Sequence, residues 1–176
     1  MKIKLIKFSQ RGIVLLTAVI LLFILTLIGI ASMNSTALTE KMTQNLRDSS
    51  TAFEAAESGL GDAEMLIQTM TTIPTPVATC SAAPCLVWQY NALGTFYQQP
   101  DSWWQANARP FSATIANVAL QPYYIIEQFN YIPTQLSPDA ESKGQGYYYY
   151  RITARGTGAT DNAHAVVQTI YATQFN

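Results

Sequence analysis

The sequence predicts an α+β fold: one long amino-terminal helix, about residues 13–72, whose carboxyl-terminal half packs on an antiparallel β-sheet of three to four strands. Three observations support this prediction. No charged residue occurs from Ile13 until Glu40, apolar residues then recur at helical spacing, and the later chain is rich in Tyr, Trp, Thr and Pro. With 12% charged and 49% hydrophobic residues in a chain of 176, the protein is not a disordered polyelectrolyte, and its length allows one ordinary domain.

The apolar stretch is long enough to cross a membrane. Residues 13–31 are almost wholly Leu, Ile, Val, Phe and Ala, and a helix of this length extends about 28 Å, close to the roughly 30 Å hydrocarbon core of a bilayer. A single basic residue, Lys41, follows it closely, whereas four precede it: Lys2, Lys4, Lys7 and Arg11. The positive-inside rule therefore predicts a cytoplasmic amino end and a head outside the cytoplasm.

A cleaved secretory signal is the alternative interpretation, because Gly29 and Ala31 have the small side chains that a signal peptidase reads. However, this apolar stretch is longer than the roughly 7 to 15 residues usual for such a signal. The helical pattern also continues, without Pro, to Ile73. We therefore predict a membrane half, residues 13–34, and an amphipathic half, residues 35–72, ended by Pro74 and Pro76.

The remainder, residues 73–176, is predicted to be a β-rich head. Aromatic and β-branched residues predict strands at Tyr123–Tyr131, Tyr147–Ala154 and Ala163–Phe175. Leu86–Tyr90 is either a fourth strand or an extended loop. Pro and Gly residues mark 132–146 as a surface loop.

A short helical turn is predicted between these segments. Asp101 precedes Ser102, Trp103 and Trp104, so it is expected to cap the turn. The two Trp side chains are interpreted as core rather than binding surface, because each buries roughly 150 to 250 Å².

Cys80 and Cys85 are the two cysteines, in a Pro- and Ala-rich segment of the head. Because the head is predicted to lie outside the cytoplasm, a disulfide that closes a small loop is favoured. A zinc site would need more ligands nearby. Since closing so short a loop removes little chain entropy, we expect local shaping of the surface.

No catalytic or metal-binding pattern is found in the sequence. His164 is the single histidine and has no neighbouring Ser or Cys partner, and no glycine-rich phosphate loop is present. Glu54, Glu57 and Glu64 share one side of the helix, where a solvated face or pairing between subunits is favoured over an acid pair. A net charge of -1 without charge runs gives nothing to attract nucleic acid. We expect no enzyme activity, cofactor, metal or nucleic-acid partner.

The order of a basic leader, Gln10-Arg11-Gly12 and an apolar stretch from Ile13 resembles the prepilin signal of type IV pilins. Further segments resemble PilX-type minor pilins, and the resemblance is weak between residues 73 and 121. These segments are Leu25–Gly29, Met33–Thr36, Asn45–Asp48, Ala52–Glu57, Pro122–Glu127 and Tyr150–Gly156.

This resemblance implies processing at the amino end and a pilin-like fold. In the family a prepilin peptidase removes the leader, here residues 1–12, by cutting after the Gly, here Gly12, and methylates the new first residue, here Ile13. Most pilins carry a Glu as fifth mature residue, where it neutralises a neighbouring amino terminus; the fifth residue here is Thr17. This departure is compatible with a minor pilin at or near the filament tip and argues against the major pilin.

The resemblance also implies a function. The chain is expected to prime assembly of a type IV pilus, counteract retraction and support adhesion or aggregation, moving from the bacterial inner membrane, with its head in the periplasm, to the pilus. Expected partners are other minor pilins, the major pilin, the inner-membrane assembly platform, the prepilin peptidase and a large tip adhesin. Two alternatives stay open: a secretion-system pseudopilin, although its K type is generally much larger, and a single-span membrane-anchored extracytoplasmic domain.

Overall fold

A computed structural model describes residues 13–141 and 143–175. The predicted leader, with Gly12, lies outside the described residues. The chain divides into an amino-terminal unit that ends at Gln44 and a second unit that begins at Asn45.

Helix α1 spans Ile13–Thr69 and contributes to both units. It ends about three residues before the predicted boundary, ahead of Pro74 and Pro76. A 3-10 helix (Phe96–Gln98) and helix α2 (Asp101–Asn107) lie further along the chain. The strands are β1 (Trp88–Gln89), β2 (Arg109–Pro110), β3 (Tyr123–Pro133), β4 (Gly146–Thr157) and β5 (His164–Thr173).

The strands form one sheet in the order β1-β3-β4-β5, with β2 paired to β3. The three long strands are antiparallel, as predicted, with Tyr124 opposite Ala154 and Tyr150 opposite Tyr171. However, β1 runs parallel to β3, with Trp88 opposite Glu127. The sheet is therefore mixed and has five strands, whereas three to four antiparallel strands were predicted. The prediction missed β2 and the direction of β1 because two-residue strands carry no periodicity from which their pairing could be predicted.

In the second unit, α1 packs through its smallest side chains on one face of this sheet. The buried helix residues are Ala52, Ala55, Ala56, Gly59, Ala63 and Ile67. The two backbones come so close that a Cβ on Gly156 of β4 would overlap the Ala52 carbonyl oxygen and the Ala56 amide nitrogen. One apolar cluster joins the helix to alternate residues of the sheet: Tyr124, Ile126, Tyr148, Tyr150, Ile152 and Ala154. This packing confirms the predicted α+β fold.

The opposite face of the sheet is covered by the segment that precedes β3. Its cluster consists of Trp88, Phe96, Trp104, Ala108 and Ile125. The Phe96 and Trp104 rings lie 5.7 Å apart, and Trp104 is fully buried, so its side chain belongs to the core as predicted. The prediction that Asp101 caps α2 is wrong, because Pro100 occupies the capping position without a side-chain hydrogen bond.

Candidate interaction sites

The amino-terminal unit presents a continuous apolar surface. All its described residues, from Ile13 to Gln44, are helical and exposed; Leu22 is 65% exposed and Met33 75%. Helix α1 contains an 18-residue window with a mean hydropathy of 3.1, so it is long and apolar enough to cross a membrane by length and composition. Because water solvates such a surface poorly, it requires lipid or other apolar helices around it.

Hydroxyl groups within this apolar surface are satisfied by their own helix. The Thr17 hydroxyl lies 3.1 Å from the Ile13 carbonyl oxygen and 3.0 Å from that of Val14, and Thr26 donates to Phe23 at 2.7 Å. Such bonds remove the cost of placing a hydroxyl in an apolar medium. Thr17 therefore needs no partner from outside the helix, unlike a carboxylate at the same position.

Cys80 and Cys85 form a disulfide, with their Cα atoms 5.9 Å apart. Both pack, partly buried, against the Trp104 cluster. The residues between them, 81–84, are exposed. The bridge thus holds a small surface loop against the head.

A buried ion pair between Glu127 and Arg151 holds the segment after β1 against the sheet. Glu127 is fully buried and accepts hydrogen bonds from Arg151 Nε at 2.7 Å and from the Asn91 amide at 3.1 Å. The Arg151 guanidinium also lies 4.4 Å from the centre of the Tyr90 ring. Sequence reasoning missed this network because its members are 24 to 60 residues apart.

A second ion pair explains the role of Asp101. The Nε of Arg155 donates to Asp101 Oδ1 at 2.7 Å, and Nη1 donates to the Gln99 carbonyl at 3.3 Å. Arg155 extends from β4, so the pair fixes the start of α2 against the centre of the sheet. The Asp101 carboxylate therefore forms an ion pair with the sheet and does not cap the helix.

A third carboxylate attaches α1 to the turn between β4 and β5. Asp48 accepts hydrogen bonds from the backbone amide of Thr160, at 3.2 Å, and from its hydroxyl. The hydroxyl bond is the main reason why the pKa of Asp48 is lowered from its usual 3.8. A carboxylate whose pKa is lower in the folded state contributes stability above pH 3.8 that is lost as the pH falls through the lowered pKa.

We therefore expect Asp48→Asn to flatten the acid branch of the stability curve. The full chain in detergent should lose part of its stability as the pH falls below 3.8, and the variant should lose less because it has no carboxylate to protonate. Urea midpoints measured across this range test the expectation. Asp161→Asn, in the same turn, is the matched control; equal acid branches for wild type and Asp48→Asn would contradict the assignment.

The acidic residues singled out on α1 stay near the surface. Glu54 and Glu57 are exposed, and Glu64 is partly buried. Glu54 accepts a hydrogen bond from Ser50 at 3.3 Å. Within residues 13–141 and 143–175, no three His, Cys, Asp or Glu side chains cluster as metal ligands would, and His164 is exposed on β5. A solvated helix face is the simplest interpretation of these carboxylates.

An open cavity of about 570 Å³ lies beside the end of α1 in the second unit. Its polar groups include Asp62, Arg109 and Tyr124, and its walls include Met65 and Phe111. Asp62 accepts hydrogen bonds from the Ser112 amide at 3.1 Å and its hydroxyl at 2.5 Å. Burial raises the pKa of the Tyr124 hydroxyl, although Arg109 opposes the rise. The Asp62 carboxylate thus attaches the segment after β2 to α1.

The loop between β3 and β4 is mostly exposed, as predicted. Its most exposed apolar side chain is Leu136, whereas Ala140 is buried. Tyrosines of the adjacent strands hold its base: the Tyr148 hydroxyl donates to the Glu141 carbonyl at 2.7 Å and the Tyr131 hydroxyl to the Gln145 carbonyl at 3.2 Å. The loop therefore has an anchored base and an open tip.

Two family comparisons account for nearly the whole chain. The family described as PilX N-terminal matches residues 11–60. The family described as type IV pilus assembly protein PilX, C-terminal part, matches residues 38–173, which is more than half of the chain. The chain belongs to the PilX family. No curated protein and no solved structure matches this PilX-family chain significantly.

Membership of the PilX family defines the class of this protein. It is a type IV pilus minor pilin, a structural component that interacts with other components of the pilus. Its long apolar helix fits anchoring in the inner membrane followed by assembly. Processing at Gly12 and Ile13 stays a prediction, since Gly12 lies outside the described residues.

Proposed function

We propose that this chain is a minor pilin that primes a type IV pilus and supports adhesion or aggregation from a tip or near-tip complex. The observation that carries the proposal is the match to both PilX families on a chain whose amino-terminal unit is an exposed, apolar helix. Such a helix keeps its backbone and hydroxyl hydrogen bonds internal, both in lipid and among other helices. It can therefore leave a membrane for a filament core without losing them.

The proposed function has two stages, storage in the membrane and assembly into the pilus. Before assembly, residues 13–34 span the inner membrane, with a cytoplasmic amino end and the head, residues 73–176, in the periplasm. Prepilin peptidase then cuts after Gly12 and methylates Ile13. The assembly platform transfers the chain to the pilus, where other minor pilins, the major pilin and a large tip adhesin are its proposed neighbours.

Thr17 favours a place at or near the tip. A Glu at this position would pair with the amino terminus of a neighbouring subunit, whereas the Thr17 hydroxyl is occupied by its own helix. The chain therefore lacks one attraction that a repeating shaft subunit uses. A subunit that starts the filament has no subunit above it and does not need that attraction.

The intact mass and amino-terminal sequence of the membrane-recovered protein test the proposal. We expect methylated Ile13 as first residue in cells with active prepilin peptidase and Met1 in cells without it. Deletion of the protein should reduce surface pili, and sheared pili should contain it at low abundance. A chain that starts at Ser32, as a secreted domain would, or at Met1 in both strains would contradict the proposal; loss of protein export with normal pili would favour a pseudopilin.

A further inference from the structure

Among the described residues, strand β5 leaves one long edge of the sheet unpaired. Within the described part of the chain its one strand neighbour is β4, and ten consecutive residue pairs join the two, from Tyr148 opposite Thr173 to Thr157 opposite His164. In an antiparallel strand every second residue directs its N–H and C=O away from its neighbour. About five residues of β5 therefore present backbone donors and acceptors at this edge.

This edge lacks the features by which monomeric proteins prevent edge pairing. Residues 162–176 contain no Asp, Glu, Lys, Arg or Pro. The β4–β5 register is unbroken, whereas the β3–β4 register shifts between Gln128 and Asn130. Natural edges usually carry charges, Pro or bulges that stop another strand from adding. A regular, uncharged edge of ten residues is suited to accept one.

The side chains of β5 define what can pair with it. On the helix face of the sheet, Val167 and Tyr171 are half-buried, and Tyr171 packs against the core cluster. On the other face, Val166 is 38% exposed and Ile170 55%. An added strand would extend both faces, so apolar side chains at alternate positions would cover these partly exposed groups.

We propose that the free edge of β5 is a docking site for an extended, uncharged segment of another pilus protein, which adds to the sheet as a sixth strand. The site rests on the proposed function, since its partner belongs to the pilus. A lone segment suits this edge better than a second copy of the chain. The β5 strand of a second copy already packs one face against its own core, so pairing two copies would cover less apolar surface.

Amide hydrogen exchange tests strand addition directly, because an added strand bonds to backbone groups. The probe is the full chain, measured as isolated protein in detergent and as the subunit of sheared pili. In the isolated chain, alternate β5 amides should exchange quickly; in pili, the same amides should exchange at least about tenfold more slowly. Fast exchange in both samples, or slow exchange of every β5 amide in the isolated chain, would overturn the assignment.

Two further outcomes separate this proposal from its alternatives. Slowing that appears in detergent as the protein concentration rises would show pairing of two copies and overturn the proposed partner. Absence of the chain from pili would refute the proposed function itself, and the edge assignment with it. Presence in pili with unchanged β5 exchange would refute the edge alone.

Charged substitutions on β5 provide a test in cells. The double variant Val166→Glu, Ile170→Glu places charges on exposed positions. Each Glu lies opposite an arginine, Arg155 or Arg151, so the fold should remain while strand addition is opposed. We expect at least about tenfold less of it in pili. Leu136→Glu, on the exposed β3–β4 loop, is the matched control. Unchanged β4 amide exchange verifies folding, and equal incorporation of both variants would overturn the proposal.

Discussion

Replacing Gly156 by Ala is expected to destabilise the second unit by about 3 kcal/mol. The added Cβ would overlap the Ala52 carbonyl and the Ala56 amide, and would lie 2.9 Å from the Ala55 carbonyl carbon. All three contacts are backbone, so no side chain can rotate away; the helix must move off the sheet and loosen the buried cluster between them. The urea midpoint of the full chain in detergent measures the loss of stability, provided that the slope of the unfolding free energy with urea concentration is the same in both proteins.

Gly61→Ala is the control for this prediction. Gly61 lies in the same helix, and an added Cβ would meet nothing within 4 Å. Since Ala has the higher helix propensity, this variant should gain up to about 1 kcal/mol. Opposite signs for the two substitutions are therefore expected. A stability of Gly156→Ala equal to wild type would mean that α1 does not approach β4 closely.

Replacing Arg151 by Met should destabilise the head by about 3 to 5 kcal/mol. The change leaves Glu127 fully buried without its cation, although the Asn91 amide still donates to it. The packing of Tyr90 should also loosen, because the Arg151 guanidinium lies over its ring. Thermal unfolding, followed by near-ultraviolet circular dichroism, measures both effects.

The double variant Glu127→Gln, Arg151→Met tests the physical cause. Removing the buried charge together with its partner should restore part of the lost stability, because the main cost is an unpaired carboxylate. Lys143→Met is the matched control, since its ion pair with Asp139 is solvent-exposed and contributes at most about 1 kcal/mol. A double variant less stable than Arg151→Met would contradict this explanation.

The periodic segments were predicted well because burial imposes a repeat on their residues. Strand β3 begins at Tyr123, where the aromatic and β-branched residues begin, and the burial of β5 alternates as its sequence does. The burial of Trp104 was also predictable, since so large a ring has few stable alternatives. Two-residue strands and single charged side chains carry no such periodic pattern. Thus the parallel pairing of β1 and the role of Asp101 depended on residues far away in the chain.

The sequence by itself determined the class of this protein: the apolar stretch from Ile13, the amphipathic continuation of the helix and the PilX-type segments all follow from local pattern. The tertiary structure alone decided which groups meet. It brings Gly156 against the backbone of α1, encloses Glu127 with Arg151, and leaves β5 at an edge that no other strand of residues 13–141 and 143–175 pairs with. The physical reason is that periodicity reports which face of an element is buried, whereas contacts between elements depend on sheet order and register, which local patterns do not encode.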